Sequence, residues 1–327
     1  MTSNNWRPSS PVQTAMRRAR MLDTAHRFFT ERNVLEVDTP LLSPTAVSDP
    51  HIESIRAELV VRPNTPYFLQ TSPEYFMKRL LCAGYPDIFQ ICKAFRDGEA
   101  GNRHSPEFTL IEWYRRDFGL RQMMQETVDL VSALVDPRSV EFAPKFVEYR
   151  AAFEELAGVD PMRATFDALA EAAGADERLV ESLGDDRDAW LDLVLSIRVV
   201  PRFDSGRLTV LYHYPASQAA LARLCADDAS VADRFEVFFG DLELANGFVE
   251  LRDADAQLRR FEADQVLRRK RGHPRRPLDQ RLIAALRSGL PACAGVAVGF
   301  DRLLMINEMS EDIRRVQTFP FDEDDDT

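Results

Sequence analysis

The amino-acid sequence predicts an α+β fold in which an antiparallel β-sheet is flanked by helices. Two hairpins and one strand–helix unit carry this prediction. The first hairpin joins an apolar run that ends at Phe95 to a second run, Phe108 to Tyr114, through a polar loop containing glycine. The second hairpin lies within residues 234–251. A strand of small residues, Gly295 to Gly299, leads into a helical repeat of apolar residues.

The loop of the first hairpin carries the cationic side chains Arg96, Arg103 and His104. Guanidinium groups suit phosphate oxygens because their donors are planar and always charged. Side chains alternate along the return strand, so one face holds Phe108, Leu110, Glu112 and Tyr114. A flat ring, an acid and a phenol on one face can hold a purine and an amine side by side. Taken alone, the pattern also describes a solvated basic loop on an amphipathic hairpin.

The strand–helix unit near the C-terminus has Asp301 as its predicted N-cap and Arg302 in the first helical turn. Glycines in the preceding strand let a ligand approach the backbone closely. By itself this pattern is weak, because buried strands often carry glycine and alanine.

The second hairpin carries acids at intervals of seven, Glu236, Glu243 and Glu250. With Gly240 and Asp241 as the loop, Glu236 lies diagonal to Glu243 on one face, close enough to share a cation. Neighbouring like charges are costly unless a metal or a cationic ligand neutralises them. The alternative is a pair of solvent-facing acids on an edge strand.

Glu250 has the wrong parity for that face on a regular strand. A bulge or bend at Asn246-Gly247 is therefore predicted, because one extra residue would return Glu250 to the pocket.

Together, the first hairpin and the C-terminal unit resemble motifs two and three of class II aminoacyl-tRNA synthetases, specifically the lysyl branch. A helical repeat from Met21 to about Arg32, then a strand stopped by Pro40, resembles motif one, which builds the dimer interface in these enzymes. The resemblance spans about residues 13–306 and implies the class II catalytic domain and a homodimer.

Within that branch, the chain resembles the lysyl-tRNA synthetase paralogs that ligate (R)-β-lysine to elongation factor P. Ser72 lies in the run Thr71-Ser72-Pro73-Glu74, where tRNA-charging relatives have a small residue without a hydroxyl, and Ala297 stands where glycine is typical. The resemblance implies that these two residues select the β-amino acid. The run from Tyr212 to Gln218 is also similar to this group, and no anticodon-binding domain is expected.

The implied reaction is adenylation of an amino acid by ATP with Mg²⁺, followed by transfer to a lysine of elongation factor P. The resemblance assigns Arg96 to the α-phosphate and Arg302 to the γ-phosphate as the catalytic arginines, and Phe108 to adenine. The implied ATP-binding set is Arg96, Asp97, Gly98, Glu99, His104, Ser105, Phe108, Glu243, Leu244, Gly299 and Arg302. The implied metal ligands are Glu236 and Glu243.

The implied substrate-binding set is Ser72, Pro73, Glu74, Glu112, Tyr114, Glu250 and Ala297. In this scheme Ser72 and Glu74 meet the backbone-side amine, while Glu112, Tyr114 and Glu250 bind the distal ammonium. The chain departs from the lysyl pattern at Asp97-Gly98-Glu99, where Asn-Glu is usual after the arginine, and at Ser105, where asparagine is usual.

Chain length and composition predict the domain organisation and restrict the function further. The 327 residues predict an N-terminal arm over 1–12, a catalytic domain over 13–318 with a helical insertion at about 136–206, and an acidic tail over 319–327. The net charge of −12 argues against a general nucleic-acid binder, so tRNA is not an expected partner. The four cysteines have no CxxC spacing, which predicts a cytoplasmic protein without a disulfide framework or zinc site. No run approaches the length of a membrane span, so no membrane association is expected.

Two other functions remain open from the sequence. One is a stand-alone ligase that activates α-lysine for a small molecule or a tRNA. The other is an inactive paralog that acts as a regulatory binding subunit, although such proteins usually lose a phosphate-binding arginine or a metal-binding acid.

Overall fold

A large β-sheet organises the part of the chain that the computed structural model describes, residues 6–136 and 141–321. The strands are β1 (Leu35–Glu36), β2 (Leu42–Ser43), β3 (Arg56–Glu58), β4 (Pro66–Leu69), β5 (Ile88–Phe95), β6 (Glu107–Arg116), β7 (Glu141–Glu148), β8 (Arg207–Tyr212), β9 (Arg234–Phe239), β10 (Leu242–Val249) and β11 (Cys293–Gly299). The helices are α1 (Val12–Thr30), α2 (Glu74–Cys82), α3 (Leu120–Leu134), α4 (Tyr149–Leu156), α5 (Phe166–Ala173), α6 (Glu177–Leu183), α7 (Arg187–Val194), α8 (Ala254–Lys270), α9 (Gln280–Gly289) and α10 (Phe300–Glu308).

The large sheet has the strand order β1-β5-β6-β11-β10-β9-β8-β7. The two outermost pairs, β1–β5 and β7–β8, are parallel, and the pairs between them are antiparallel. Strands β2, β4 and β3 form a small antiparallel sheet. The predicted α+β architecture with flanking helices is confirmed.

The two faces of the large sheet differ because side chains alternate along each strand. On one face, Ile111 and Trp113 of β6 join the main apolar core with residues of α1, α3 and α10. On the other face, Glu112 and Tyr114 point towards α2 and the loops that follow the strands. The candidate site therefore lies on the face that the main core leaves uncovered.

Both predicted hairpins form. Strands β5 and β6 pair in regular register, from Ile88 opposite Tyr114 to Phe95 opposite Glu107. Strands β9 and β10 are joined by Gly240 and Asp241, and Gly240 has the left-handed φ of 55° that such a turn requires.

The predicted position of the bulge is wrong. Glu243 pairs with Phe238, but the register then shifts and Ala245 pairs with Val237, so the irregularity lies between Glu243 and Ala245. The extra residue reverses the parity of the strand beyond it. Glu250 thereby reaches the site face without any irregularity at Asn246-Gly247.

The predicted N-cap role of Asp301 is also wrong. The helix α10 begins at Phe300, after Gly299, and Asp301 lies buried in its first turn. There its Oδ2 accepts a hydrogen bond from the backbone N–H of Thr109 at 2.7 Å. The carboxylate therefore joins α10 to β6 instead of capping its own helix.

Differences from the predicted elements also occur elsewhere. The strand expected from Val34 to Pro40 is reduced to β1, which pairs with β5 through two residues. The segment expected to be helical begins with β7 before α4 to α7. The predicted arm and tail fall partly on residues 1–5 and 322–327, which lie outside the described residues. Among the described residues, no helix combines the length and apolar character needed to span a bilayer.

Replacing Gly247 with alanine should destabilise the fold by about 1–3 kcal/mol, because overpacking a filled core forces its neighbours apart. A Cβ at this position would lie 2.7 Å from the Phe235 ring and 2.7 Å from Val296 Cβ. Urea unfolding of Gly247→Ala measures the change. The matched control is Gly206→Ala, where the nearest atom to an added Cβ is Asp204 Oδ1 at 3.5 Å. Equal midpoints for the two variants would contradict the prediction.

Candidate active site

An acidic pocket lies where β6, β10 and β11 meet the start of α2. The Tyr114 hydroxyl donates to Glu112 Oε1 at 2.8 Å, and the Ser72 hydroxyl donates to Glu112 Oε2 at 2.7 Å. The Ser72 oxygen also accepts from the backbone N–H of Glu74 at 3.0 Å. Ser72 therefore ties the beginning of α2 to the acid on β6.

Gly295 shapes the floor of this pocket. It pairs with Tyr114 on β6 and with Phe248 on β10. A Cβ at Gly295 would overlap the Tyr114 ring and would lie 2.7 Å from Glu250 Oε1. The absent side chain thus makes room for both polar groups.

A buried lysine, Lys78 on α2, was missed by the sequence reasoning. Its Nζ lies 2.6 Å from Glu74 Oε1 and 2.5 Å from Glu250 Oε2, and the residue is only 1% exposed. The available signal was the i,i+4 spacing of Glu74 and Lys78 in a helix that also buries Met77 and Leu81.

Burial dominates the electrostatics of the pocket. It raises the pKa of Glu112 to about 7, and the charge of Glu74 adds to this shift, whereas the Ser72 and Tyr114 hydrogen bonds oppose it. Burial also raises the pKa of Glu250, against the opposing charge of Lys78. Burial lowers the pKa of Lys78, but Glu250 and Glu74 outweigh it, so this lysine stays charged.

The pocket holds more carboxylate than cation. Glu74, Glu112 and Glu250 converge on Lys78, and Glu250 Oε1 has no hydrogen-bond partner among the described residues. Buried acids without sufficient counter-charge are costly until a cationic ligand arrives. The arrangement therefore suits a ligand that carries ammonium groups.

A cationic region lies further along the same strands. Arg302 Nη1 donates to the Glu243 carbonyl oxygen at 2.6 Å, and Nη2 donates to His104 Nε2 at 2.8 Å. Because the guanidinium can only donate, His104 accepts through Nε2 and is neutral. Burial, followed by the nearby Arg302 charge, lowers the pKa of His104 in agreement with this assignment.

Arg96 follows the end of β5. Its guanidinium carbon lies 5.1 Å from the centre of the Phe108 ring, and Nη1 lies 3.5 Å from Glu99 Oε1. Its Nε is buried and has no hydrogen-bond partner within the described part of the chain. Arg103, by contrast, is engaged in a bidentate contact with Asp241 at 2.9 and 3.0 Å, which joins the two hairpin loops.

The two acids predicted to bind metal differ in environment. Glu236 is buried, and its oxygens accept hydrogen bonds from Arg234 at 2.6 Å, Asn246 at 3.2 Å and Tyr214 at 2.5 Å. Burial raises its pKa to about 7; Arg234 opposes this shift and the nearby charge of Glu243 adds to it.

The carboxylate of Glu243 is 43% exposed and lies 3.7 Å from Arg302 Nη1. Glu243 therefore fits a hard cation such as Mg²⁺ as a direct oxygen ligand, whereas Glu236 has only its remaining lone pairs to offer. Arg234 could have been found from the sequence, because it lies two residues before Glu236 and so on the same face of β9.

The remaining predicted residues lie around these two regions. Gly98 has a left-handed φ of 76°, and the backbone N–H of Asp97 donates to the Glu53 carbonyl at 2.9 Å. Ala297 lies directly opposite Glu112 across the β6–β11 pair. The other positions are Pro73 immediately before α2, Ser105 buried in the loop before β6, Leu244 at the bulge of β10, and Gly299 at the end of β11.

Comparison with known proteins identifies the family. A family model described as tRNA synthetases class II (D, K and N) matches residues 5–323. The chain belongs to this family. Its relatives include the elongation factor P–(R)-β-lysine ligase of Mannheimia succiniciproducens, 44% identical over 318 residues, which are 96% of this chain and 97% of the relative. Proteins of the same name from Pasteurella multocida and Yersinia pestis are each 42% identical, over 96% and 97% of this chain and 97% of each relative.

Family membership relates the strands of the large sheet to the sequence motifs of class II enzymes. The hairpin of β5 and β6, together with the unit of β11 and α10, holds the residues that resemble motifs two and three of class II enzymes. In this chain those motifs meet on neighbouring strands, because β6 pairs directly with β11.

Replacing Lys78 with methionine should destabilise the protein by about 3 kcal/mol, because removing one partner of a buried ion pair leaves the other uncompensated. The double variant Lys78→Met/Glu250→Gln should recover part of the loss. Chemical unfolding of the single and double variants measures both terms. The neighbouring Arg79→Met is the control, since Arg79 is only partly buried and contacts the Phe76 ring at 5.2 Å. A Lys78→Met variant as stable as Arg79→Met would contradict the predicted role of the pair.

Proposed function

We propose that this protein is an ATP-dependent ligase that adenylates (R)-β-lysine and transfers it to the ε-amine of a lysine on elongation factor P. The observation that carries the proposal is the buried excess of carboxylate around Glu112 and Glu250, together with the arginines just beyond the strand ends, Arg96 after β5 and Arg302 after β11. A diamino acid has the charge to fill such a pocket. The names of relatives at 42–44% identity support the same substrate and acceptor.

The acidic pocket orients the amino acid. In this proposal Ser72 and Glu74 meet the amine nearer the carboxyl group, and Glu112, Tyr114 and Glu250 bind the distal ammonium. Lys78 holds Glu74 and Glu250 together at 2.6 and 2.5 Å, so their carboxylates are positioned before the substrate arrives. Such preorganisation reduces the entropic cost of reaching a reactive geometry.

Adenylation then needs no general base, because a carboxylate is already ionised at neutral pH. A carboxylate oxygen bonds to the α-phosphorus of ATP, the bond from that phosphorus to its bridging oxygen breaks, and pyrophosphate leaves. Arg96 stabilises charge at the α-phosphate and Arg302 at the γ-phosphate. Phe108 stacks on adenine, and His104 contacts the phosphate tail.

Magnesium, when bound, supplies positive charge to the phosphate oxygens. Glu243 would bind the ion directly. Glu236 would add a second carboxylate oxygen through a lone pair that its hydrogen bonds to Arg234, Asn246 and Tyr214 leave free. Arg234, Tyr214 and Asn246 fix the Glu236 carboxylate at this end of the pocket.

In the second step the ε-amine of the acceptor lysine attacks the acyl carbonyl. The amide bond forms, the bond between the acyl carbon and the phosphate oxygen breaks, and AMP leaves. The attacking nitrogen loses a proton, which we assign to the leaving phosphate because the neighbouring carboxylates are occupied by the substrate's ammonium groups.

Selection of the β-amino acid is assigned to Ser72 and Ala297, which approach Glu112 from different sides. Ser72 donates to Glu112 Oε2, and Ala297 lies opposite Glu112 on β11. A methyl group at residue 297 narrows the space beside Glu112. The Ser72 hydroxyl has two roles in this proposal. It orients Glu112 and the start of α2, and it contacts the substrate amine nearer the carboxyl group.

A homodimer in the cytoplasm also belongs to this proposal. Apolar side chains within and beside the region that resembles motif one are exposed in the single chain: Leu35 within it, and Val12, Met16 and Leu41 beside it. A second copy would cover them. The four cysteines are all free, which agrees with a reducing compartment.

The two other functions are not favoured. An inactive paralog would not need to keep both Arg96 and Arg302 together with the acids of the pocket. A ligase for α-lysine agrees less well with relatives whose names specify (R)-β-lysine.

Exchange of pyrophosphate with ATP, in the presence of magnesium, tests the first step. We expect faster exchange with (R)-β-lysine than with α-lysine, and a β-lysine mass increment on elongation factor P when that protein is added. Arg302→Ala should lower kcat/KM about 10²–10³-fold, as expected when a donor to developing charge is removed. Arg287→Ala, an exposed residue paired with Asp255, is the control. Preference for α-lysine would overturn the assigned substrate, and no exchange with either would overturn the enzymatic proposal.

Binding of the diamino substrate should release protons near pH 7. Burial holds the pKa of Glu112 at about 7 in the empty pocket, so part of the population is protonated there, and a bound ammonium favours the ionised form. Affinity should therefore fall as the pH drops through about 7. Binding heats measured in two buffers of different ionisation enthalpy give the number of protons released. Glu112→Gln should lower that number, and unchanged proton release in this variant would exclude Glu112 as the source.

A further inference from the structure

A second group of polar side chains, away from the acidic pocket, consists of His213, Cys225 and Asp233. One ligand atom from each residue, a ring nitrogen, Sγ and a carboxylate oxygen, lies within 4.8 Å of the other two. Asp233 is buried, while His213 and Cys225 are half-buried. No part of the proposed ligase reaction uses any of them.

We propose that His213, Cys225 and Asp233 form a site for a zinc ion, which the spacing of the cysteines in the sequence does not predict because the three ligands come together only in the fold. Thiolate, imidazole and carboxylate are the ligand types that zinc takes in proteins. Zinc–ligand bonds of about 2.0–2.3 Å in a tetrahedral site place the ligand atoms about 3.3–3.8 Å apart. His213 Nε2 and Asp233 Oδ1 are 3.8 Å apart, so small side-chain adjustments close the site.

An outer hydrogen bond orients Asp233 for this purpose, and a carboxylate lies near His213. Arg223 Nε donates to Asp233 Oδ2 at 2.7 Å, which leaves Oδ1 directed towards His213. On the other side of the ring, His213 Nδ1 lies 3.7 Å from Glu148 Oε1, which is too long for a hydrogen bond. A rotation of the exposed Glu148 side chain on metal binding would bring this carboxylate to the far nitrogen, where it would fix the tautomer and raise the basicity of the histidine.

The backbone holds the three ligand residues in place before any ion binds. The N–H of His213 donates to the Arg234 carbonyl at 2.9 Å, that of Asp233 to the Arg223 carbonyl at 3.0 Å, and that of Cys225 to the Val231 carbonyl at 2.9 Å. His213 has a φ of 61°, an uncommon conformation for a residue with a Cβ. Preformed ligand positions reduce the ordering cost of metal binding.

The site would act on the active site through sequence neighbours. Tyr214 follows His213 and donates to Glu236 Oε2 at 2.5 Å, and Arg234 follows Asp233 and donates to Glu236 Oε1 at 2.6 Å. A zinc ion would therefore fix the two segments that hold the Glu236 carboxylate. With three protein ligands, a water molecule would complete the tetrahedral coordination. The ion would act by holding these two segments, because none of its ligands is an ATP-binding or substrate-binding residue of the proposed reaction.

Cobalt(II) binding to the full chain tests the proposal. After removal of metals with a chelator, the wild-type protein should bind one cobalt ion with intense visible bands of tetrahedral coordination and a sulfur-to-cobalt charge-transfer band. Zinc should displace it and raise Tm. Cys225→Ser should abolish the charge-transfer band, and His213→Asn should weaken binding while tolerating the left-handed backbone. Cys82→Ser, a half-buried thiol outside the group, is the matched control and should behave as wild type.

The affinity for metal of a variant at Glu148, the carboxylate near His213, gives a separate test of the site. Glu148→Gln should weaken metal binding about tenfold, since loss of an outer-shell carboxylate typically costs 10–100-fold. The proposal is overturned if the wild-type protein shows no charge-transfer band, or if Cys225→Ser keeps it. Zinc binding of equal strength in wild type and Cys225→Ser would also overturn it, because the ion would then lie elsewhere, for example at Glu243.

Discussion

Carboxylates buried on the face of a β-sheet are the feature on which the site depends. Glu112, Glu250 and Glu236 are each at most 8% exposed, and burial is the largest cause of the raised pKa of each. The chain compensates them unequally. Glu236 is hydrogen-bonded by Arg234, Tyr214 and Asn246, while Glu112 and Glu250 share a pocket with one lysine. In the proposed reaction, the uncompensated negative charge of this pocket attracts a cationic substrate.

The free-energy cost of burying these carboxylates has to be offset elsewhere in the fold. The opposite face of the sheet buries Ile111, Trp113, Val296 and Val298 against α1, α3 and α10 in the largest apolar core. Burial of apolar area contributes roughly 25 cal/mol per Å², so a core of this kind can carry a polar site that is itself destabilising. One sheet thus separates the stabilising face from the functional face, and alternation along each strand makes the separation possible.

Connection between distant parts of the chain comes from the loops. Arg103 joins the β5–β6 loop to the β9–β10 loop through Asp241, while Arg302 joins α10 to the β5–β6 loop through His104 and to strand β10 through Glu243. These contacts close the cationic region around the ends of the strands. In the group of His213, Cys225 and Asp233, His213 directly follows β8 and Asp233 directly precedes β9, so the group adjoins Tyr214 and Arg234, which hold Glu236.

The sequence by itself determined the α+β class, both hairpins, the Gly240-Asp241 turn and the position of Arg302 in the first turn of α10. These features depend on local spacing and on glycine conformation, which neighbouring residues reveal. Tertiary structure alone decided the bulge between Glu243 and Ala245, the pairing of Asp301 with the Thr109 amide, and the burial of Lys78 between Glu74 and Glu250. Each of these depends on a partner from another element, since strand register and buried charge pairing are set by contacts between segments far apart in the chain.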